Sequence, residues 1–137
     1  NMPKLNGSLD ANIVIRLLTK DIPKQYQIAA DLISSGAEFE ISDTAIIEAI
    51  YALNTYYDIP RILVEETIRK FQTNKNLRIN SAVFLDALAQ YVACPALSIE
   101  DCYVVAAANH TKSLPLWTFD KKLANQSSGL AKELRKS

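Results

Sequence analysis

The stretch Leu5-Asn6-Gly7-Ser8-Leu9-Asp10-Ala11-Asn12 decides the fold, because a short apolar run ends in an acid and a helical pattern begins directly afterwards. Residues Leu5 to Leu9 predict a strand, and residues Ala11 to Leu18 predict a helix. Near the other end of the chain, Leu114 to Phe119 predicts an apolar strand that is likewise followed by an acid, Asp120. Because ligands of parallel sheets bind beyond the carboxyl ends of the strands, both acids are candidate site residues.

The sequence between these strands predicts more helices and one more strand. A strand is expected from Glu38 to Ile41, and from Lys121 onward the chain is expected to form a helix and then to fray. Five other helices are predicted. The first begins at Pro23 and stops at Gly36, the second follows Ser42 and runs to about Tyr56, and the third begins at Pro60. The fourth begins at Ser81 or Ala82 and ends before Pro95, and the fifth follows Ser98 and runs to about His110. This alternation predicts the α/β class, as a three-layer α/β/α sandwich with a central, mostly parallel sheet.

Apolar positions within these elements predict part of the core. In the helix that begins at Pro60, the candidate buried residues are Ile62, Leu63, Ile68 and Phe71. Trp117 lies inside the late strand and is also expected in the core.

Composition limits the classes of function. The 137 residues fit one domain, and 49% apolar with 22% charged residues is ordinary for a folded globular protein. Lys+Arg and Asp+Glu balance at 15 each, so no overall basic field indicates a nucleic-acid partner, although a local basic rim stays possible. The two cysteines, Cys94 and Cys102, form neither a disulfide framework nor a zinc spacing, which favours reduced thiols in the cytosol. With no signal peptide and no apolar run of about 18 residues, the protein is expected to be neither secreted nor membrane-spanning.

Two further acids, Glu48 and Asp101, interrupt apolar helical patterns. Glu48 shares a helix face with the small residues Ala45, Ala49 and Ala52, so this face can approach a sheet closely. A buried carboxylate without a partner is costly, and no cluster of Lys or Arg lies near any of the four acids in the sequence. A hard divalent cation with oxygen ligands, Mg²⁺ or Mn²⁺, is the simplest partner. The pattern therefore indicates a metal-dependent enzyme.

Each acid also has a purely structural interpretation. Asp10 and Asp120 could cap the helices that follow their strands. Ser98-Ile99-Glu100-Asp101 matches a capping box, in which the Asp101 carboxylate accepts a hydrogen bond from the Ser98 amide. Glu48 is the hardest to explain in this way, because the middle of an apolar helix needs no cap. The occurrence of all four acids together favours a metal site over separate structural roles.

Four short motifs carry a resemblance to a known family. They are Leu9-Asp10-Ala11-Asn12, Ser42-Asp43-Thr44-Ala45-Ile46-Ile47-Glu48, Ile99-Glu100-Asp101-Cys102-Tyr103-Val104-Val105-Ala106-Ala107-Ala108 and Leu116-Trp117-Thr118-Phe119-Asp120. In order and spacing they resemble the PIN-domain family of ribonucleases, and within it the small VapC-type toxins. Phe84-Leu85-Asp86-Ala87-Leu88 is similar to the helix before the third acid, so the resemblance covers about residues 5 to 125. The chain departs from the family at Gly7 and Ser8, where bulky residues are usual, and it shows no clear final strand after Asn125.

The resemblance implies a Mg²⁺- or Mn²⁺-dependent endoribonuclease, the toxin of a type II toxin–antitoxin system. Asn1 precedes Met2 and is interpreted as a cloning remnant, so a single PIN-like nuclease domain is expected over residues 2–137. In this interpretation the catalytic and metal-binding residues are Asp10, Glu48, Asp101 and Asp120, and the residues that orient ligands or the scissile phosphate are Asn12 and Thr118. The implied partners are an RNA substrate, a small cognate antitoxin and a second copy of the chain, in the cytoplasm. The helix from about Pro60 to Phe71 is a candidate surface for the two protein contacts.

Basic residues near the proposed site could contact RNA phosphates. These are Arg16 and Lys20, which are i,i+4 on the first helix, and Lys121 with Lys122 directly after Asp120. A solvated face is the more ordinary interpretation of such pairs. Three rival functions remain: a PIN-like domain that binds RNA or protein without cutting, a housekeeping RNA-processing nuclease, and a receiver-type phosphoryl-transfer domain. The last requires paired acids at the first strand, and Asp10 has no adjacent acid.

Overall fold

Helices and short strands alternate along residues 5–136, which are the residues that the computed structural model describes. The elements in chain order are β1 (Gly7–Ser8), α1 (Ala11–Thr19), α2 (Pro23–Ser34), β2 (Phe39–Glu40), α3 (Asp43–Thr55), α4 (Arg61–Phe71), β3 (Leu77–Arg78), α5 (Ser81–Ala93), α6 (Ile99–His110), β4 (Leu116–Thr118), α7 (Lys121–Gln126) and β5 (Ala131–Glu133). Residues 2–4 and 137, at the ends of the predicted domain, lie outside the described residues. Packing divides the chain into an N-terminal unit that ends at Asn80 and a C-terminal unit that begins at Ser81.

The N-terminal unit is built on a three-stranded parallel sheet in the order β1-β2-β3. Gly7 lies opposite Phe39, which in turn lies opposite Leu77. Helix α1 packs on α2 and α3, and α3 packs on α4. The fully buried side chains of this unit include Val14, Ile46, Ile50, Val64 and Ile68. Because the strands are parallel, the carboxyl ends of β1 and β2 lie at one edge of the sheet, where Asp10 and Ser42 follow them.

The helix ends in this unit follow from local sequence. The Ala45 amide donates a hydrogen bond of 3.2 Å to Ser42 Oγ, so Ser42 is the N-cap of α3. Pro23 occupies the first turn of α2, where its missing amide proton is not needed. Gly36 follows α2 with a φ of 87°, a conformation that favours glycine. These three signals explain why the predicted helix boundaries agree with the structure.

The C-terminal unit consists of a helix pair and a two-stranded parallel sheet. Helix α5 packs on α6, and the ring of Phe84 stacks on that of Tyr103 with the centroids 5.5 Å apart. His110 ends α6, and its Nε2 lies 2.7 Å from Asp86 Oδ2 on α5. In the sheet, β4 pairs with β5, with Trp117 opposite Lys132.

The predicted fold class is confirmed, because parallel strands flanked by helices are present and each predicted helix is found. The hydrogen bonds of the described strands define two sheets, whereas the sequence predicts one central sheet. The expectation that no strand follows Asn125 is wrong, since β5 pairs with β4. Strand β3 also has no counterpart among the predicted elements. No helix within residues 5–136 combines the length and the apolar character needed to cross a membrane.

Part of the predicted core is wrong. Ile68 is buried, but Ile62 and Leu63 are 49% and 47% exposed, and Val64 takes the buried position in α4. Residues 64 and 68 are one turn apart, so a single face of α4 meets α3 and the neighbouring positions point outward. Trp117 is 58% exposed rather than buried. A strand of a two-stranded sheet has a free face, and the side chain of Trp117 lies on it.

Candidate active site

Asp10 follows β1 after the buried Leu9 and is the N-cap of α1. Its Oδ1 accepts a hydrogen bond of 3.0 Å from the Ile13 amide, which confirms the capping interpretation. Its Oδ2 has no hydrogen-bond partner among residues 5–136. One carboxylate oxygen therefore fixes the side chain while the other is free to bind a ligand.

Glu48 lies on α3 beside the buried Ala49 and one turn after the buried Ala45. Within the described part of the chain, its carboxylate makes no hydrogen bond and no ion pair. Asp10 and Glu48 line the same pocket, which has a volume of about 340 Å³. The structure therefore brings together the acid that follows β1 and the acid of α3.

Three hydroxyl groups share this pocket with the two acids, and they come from Ser8, Ser42 and Thr44. Sequence reasoning gave Ser42 only a capping role and missed the other two, although each lies at the end of β1 or the start of α3. Among residues 5–136, no basic side chain lines the pocket. Carboxylate and hydroxyl oxygens are hard donors, so this donor set fits Mg²⁺ or Mn²⁺.

Asp101 lies in the first turn of α6 and completes a capping box with Ser98. The Asp101 amide donates to Ser98 Oγ at 3.0 Å, and the Ser98 amide donates to Asp101 Oδ2 at 3.1 Å. The capping interpretation of this acid is thus confirmed. The first-turn position also places a negative charge where the helix dipole favours one.

Asp120 follows β4 and is the N-cap of α7, because its Oδ1 accepts a hydrogen bond of 3.1 Å from the Leu123 amide. The Asp120 amide donates to Thr118 Oγ1 at 2.9 Å. This contact fixes the backbone that carries the Asp120 carboxylate. The role predicted for Thr118, to orient ligands or the scissile phosphate, stays a prediction.

The premise that the four acids are buried is wrong. Asp10, Glu48 and Asp120 are exposed, and Asp101 is half-buried. Strand ends and first helical turns lie at the surface, where water solvates a carboxylate, so these groups need no cation to offset burial. The case for a metal site rests instead on the oxygen donors that Asp10 and Glu48 share.

A complete ligand set is not preformed in the part of the chain that the structure describes. There, no three or more His, Cys, Asp or Glu side chains lie close enough to one another to hold a metal ion. The joint action of Asp101 and Asp120 with Asp10 and Glu48 stays a prediction.

A second groove, of about 690 Å³, runs along α1 and α2 and begins at Asp10. Asn12 and Arg16 line it from α1, so both residues predicted to support the site face the solvent close to Asp10. The guanidinium of Arg16 is already engaged, because its Nη1 donates to Asp21 Oδ1 at 2.9 Å and to the Tyr57 hydroxyl at 3.1 Å. The hydrogen bond with Tyr57 and the charge of Asp21 raise the pKa of Arg16 above its usual range. Any RNA phosphate that Arg16 binds has to compete with this internal carboxylate.

The remaining predicted RNA contacts are exposed lysines. Lys20 ends α1 with a left-handed φ of 55°, and its Nζ lies 5.0 Å from the centroid of the Tyr26 ring. This cation–π contact holds Lys20 over an aromatic face of α2. Lys121 is the first residue of α7 and is exposed.

Comparison with known proteins identifies the family. The sequence matches the PIN domain over residues 8–127, which is most of the chain, and the chain therefore belongs to the PIN domain family. PIN domains are generally nucleases that act with divalent metal ions, so membership indicates hydrolase chemistry on nucleic acid. The matched range covers both the N-terminal and the C-terminal unit. No curated protein and no solved structure matches the chain.

Proposed function

We propose that this PIN domain is a Mg²⁺- or Mn²⁺-dependent endoribonuclease that acts as the toxin of a type II toxin–antitoxin pair. The observation that carries the proposal is the pocket in which the unpaired carboxylate of Glu48 and the free Oδ2 of Asp10 lie with three hydroxyl groups. An oxygen-rich pocket beyond the carboxyl end of a parallel strand suits metal-dependent hydrolysis. In this proposal Asp101 and Asp120 supply the other two carboxylates, and residues 2–137 act as a single domain.

A divalent ion, when bound, supplies a water of lowered pKa and positive charge beside the phosphoryl oxygens. The residues of the chain hold the reacting groups in place. Glu48 has no partner among residues 5–136, so its carboxylate would be available to hold the ion or to accept a hydrogen bond from the attacking water. Asp10 would hold the ion through its second carboxylate oxygen, because Oδ1 stays bonded to the Ile13 amide. Without a cation, the acids of this pocket repel the scissile phosphate, so entry of that phosphate into the pocket depends on the metal.

The proposal includes protein partners and a compartment. A second copy of the chain and a cognate antitoxin are the proposed partners. The exposed Ile62 and Leu63 on α4 support this helix as a contact surface for one of them. Neither Cys94 nor Cys102 is in a disulfide, which suits the reducing cytoplasm.

A second candidate function is a PIN-like domain that binds RNA or protein without cutting. The observation in its favour is that Asp10, Asp101 and Asp120 each cap a helix, so helix stability alone accounts for them. Glu48 has no such explanation, because it lies inside α3 and has no partner among the described residues. A housekeeping RNA-processing nuclease would share the proposed chemistry and differ only in lacking an antitoxin.

Glu48→Gln is the sharpest test, since it removes one of the two carboxylate charges of the pocket without breaking a helix cap. Mn²⁺ should raise the melting temperature of the wild-type protein, and this variant should lose most of that shift. Cleavage of a labelled single-stranded RNA should slow about 10- to 100-fold. Glu66→Gln, which changes an exposed acid of α4, is the matched control and should behave like the wild type.

The capping role of Asp101 needs its own control. Asp101→Asn keeps an oxygen that can accept from the Ser98 amide, so the cap largely survives while the charge is lost. Ser98→Ala removes the cap, at a cost of about 1 kcal/mol in stability, and should leave cleavage unchanged. Full cleavage in EDTA, or by Asp101→Asn, would reject the proposed nuclease. A lack of stabilisation by Mn²⁺ together with a lack of cleavage would favour the non-cleaving domain.

A further inference from the structure

Two aromatic side chains at the two-stranded sheet of the C-terminal unit are not buried by the fold. Trp117 lies on β4 and is 58% exposed, and Phe119, which directly follows the last residue of β4, is 79% exposed. Lys132 lies opposite Trp117 in the parallel pair, and the exposed Leu134 follows two residues later. We call these four residues the aromatic face. The ladder extends to its far end, because the Leu134 amide donates to the Thr118 carbonyl at 2.7 Å.

The opposite face of the same sheet explains this exposure. It carries Leu116, Thr118, Ala131 and Glu133, all of which are buried or half-buried. A two-stranded sheet with one packed face leaves the other in water. Apolar side chains would ordinarily be placed on the packed side. Two large aromatic rings on the wet side therefore require a ligand or a partner to explain them.

The chain segment that carries the aromatic face is rich in basic residues. Residues 116–136 include five basic side chains and two acidic ones, although the whole chain has no net charge. Lys121, Lys122 and Lys132 are exposed and have no acidic partner among the described residues. Arg135 pairs with Glu133 at 3.3 Å, which neutralises one of the two acids. The other acid, Asp120, directly follows Phe119 and is a proposed catalytic residue.

We propose that the aromatic face binds single-stranded RNA by stacking bases on Trp117 and Phe119 while the lysines contact the phosphates. Exposed aromatic rings beside unpaired lysines are a combination that binds single-stranded nucleic acid. Every base has a π-face that can stack on a ring, and every phosphodiester linkage carries a negative charge that can pair with a lysine. Duplex RNA does not offer free base faces, so the surface discriminates against it. The side chains of Trp117, Phe119 and Leu134 together offer roughly 500 Å² or less of surface for contact. This area is below the roughly 800 Å² that each partner buries in a stable protein complex, so it favours RNA over a protein partner.

This inference rests on the proposed function in one respect: the strand held beside Asp120 is the strand to be cut. Binding itself is a separate property and can be measured without cleavage. Trp117 is the single tryptophan of the chain, so its fluorescence reports on this face alone. The full-length protein is titrated in EDTA with a short single-stranded oligouridylate, and in parallel with a blunt RNA duplex of equal length.

The expected result is saturable quenching of Trp117 emission by the single strand and little quenching by the duplex. Phe119→Ala should raise the Kd about 5- to 100-fold, the range that corresponds to the loss of one stacked base. Phe119→Tyr keeps a ring and should restore binding. Tyr56→Ala removes an equally exposed aromatic ring from the N-terminal unit and should leave the Kd unchanged. Lys132→Ala should reduce the salt dependence of binding by about one phosphate contact.

Two outcomes overturn the proposal. One is RNA binding that leaves Trp117 emission unchanged, which needs no variant to observe. The other is a change of oligomeric state in Phe119→Ala, seen by sedimentation, with RNA affinity unaltered, which would make the face a protein interface. Cleavage in Mn²⁺ separates the nuclease proposal from the RNA-binding proposal. If RNA quenches Trp117 emission but is not cut, only the nuclease proposal fails. If RNA is cut without quenching Trp117 emission, only the proposed role of the aromatic face fails.

Discussion

Asp21 accepts hydrogen bonds from three different side chains of the N-terminal unit. Its carboxylate accepts hydrogen bonds from Thr19 Oγ1 at 2.7 Å, from the Tyr57 hydroxyl at 2.7 Å and from Arg16 Nη1 at 2.9 Å. The hydrogen bond from Thr19 lowers the pKa of Asp21 most, followed by that from Tyr57 and by the charge of Arg16. Through these contacts one side chain joins the end of α1, the loop before α2 and the residues that follow α3.

The lowered pKa of Asp21 makes a prediction about pH. A carboxyl group whose pKa is lower in the folded protein favours folding when it is charged. This stabilisation is complete above the ordinary pKa of 3.8 and is lost as the pH falls through the lower folded value. The wild type should therefore have a higher melting temperature than Asp21→Asn at about pH 7, and the difference should shrink as the pH falls below 3.8 and through the lower pKa of the folded protein. Thermal melts across this range, with Asp31→Asn as an exposed control on α2, check it. An equal difference at both ends of the range would contradict the role of the charge.

Helix α4 shows how one element divides its apolar residues between two surfaces. Val64 and Ile68 are one turn apart and have no exposed surface, whereas Ile62 and Leu63 have about half of theirs in water. All four are large and aliphatic, so the sequence alone does not say which of them face α3. The choice is made by packing, and it leaves an apolar strip on the outside of the N-terminal unit.

This division predicts unequal costs for the same substitution. Ile68→Ala creates a cavity in a closed core and should lower the free energy of unfolding by about 2–5 kcal/mol. Ile62→Ala removes a side chain that water already reaches and should change it by about 1 kcal/mol or less. Urea unfolding of the two variants measures the difference directly. Both variants replace Ile by Ala on the same helix, so the change in helix propensity is the same in both. Equal costs would show that Ile62 is buried in solution, for example by a partner.

The helices were predictable from this sequence, and so were strands β1, β2 and β4, whereas β3 and β5 were missed. Local signals fix the helices: Ser42 and Ser98 cap them, and Pro23 opens one. Strands β3 and β5 are short, neither lies in an apolar run like the one that contains β4, and their hydrogen-bond partners are remote in sequence. The positions of the four acids were predicted, as were their caps, because both depend on neighbouring residues. Their exposure was not predicted, because burial depends on what packs above a strand end.

The whole molecule combines zero net charge with an apolar strip, and this combination favours self-association. Lys+Arg and Asp+Glu are equal at 15, so no long-range repulsion keeps two copies apart. Opposed strips on α4 would remove Ile62 and Leu63 of both copies from water. An interface between two identical copies is self-complementary, which suits a strip whose members are alike.

The double variant Ile62→Glu with Leu63→Glu should therefore be a soluble monomer, whereas the wild type is expected to sediment as a dimer. Two charges from each copy, brought together in an apolar contact, would repel and lose their hydration, so the dimer should dissociate and not merely weaken. Ile28→Glu places the same charge on an exposed apolar position of α2 and is the matched control, which should stay dimeric. Sedimentation velocity at several concentrations distinguishes the species. Persistence of the dimer in the double variant, or its loss in Ile28→Glu, would move the interface away from α4. Melting curves of all three proteins are needed alongside, because a monomer counts only if its N-terminal unit stays folded.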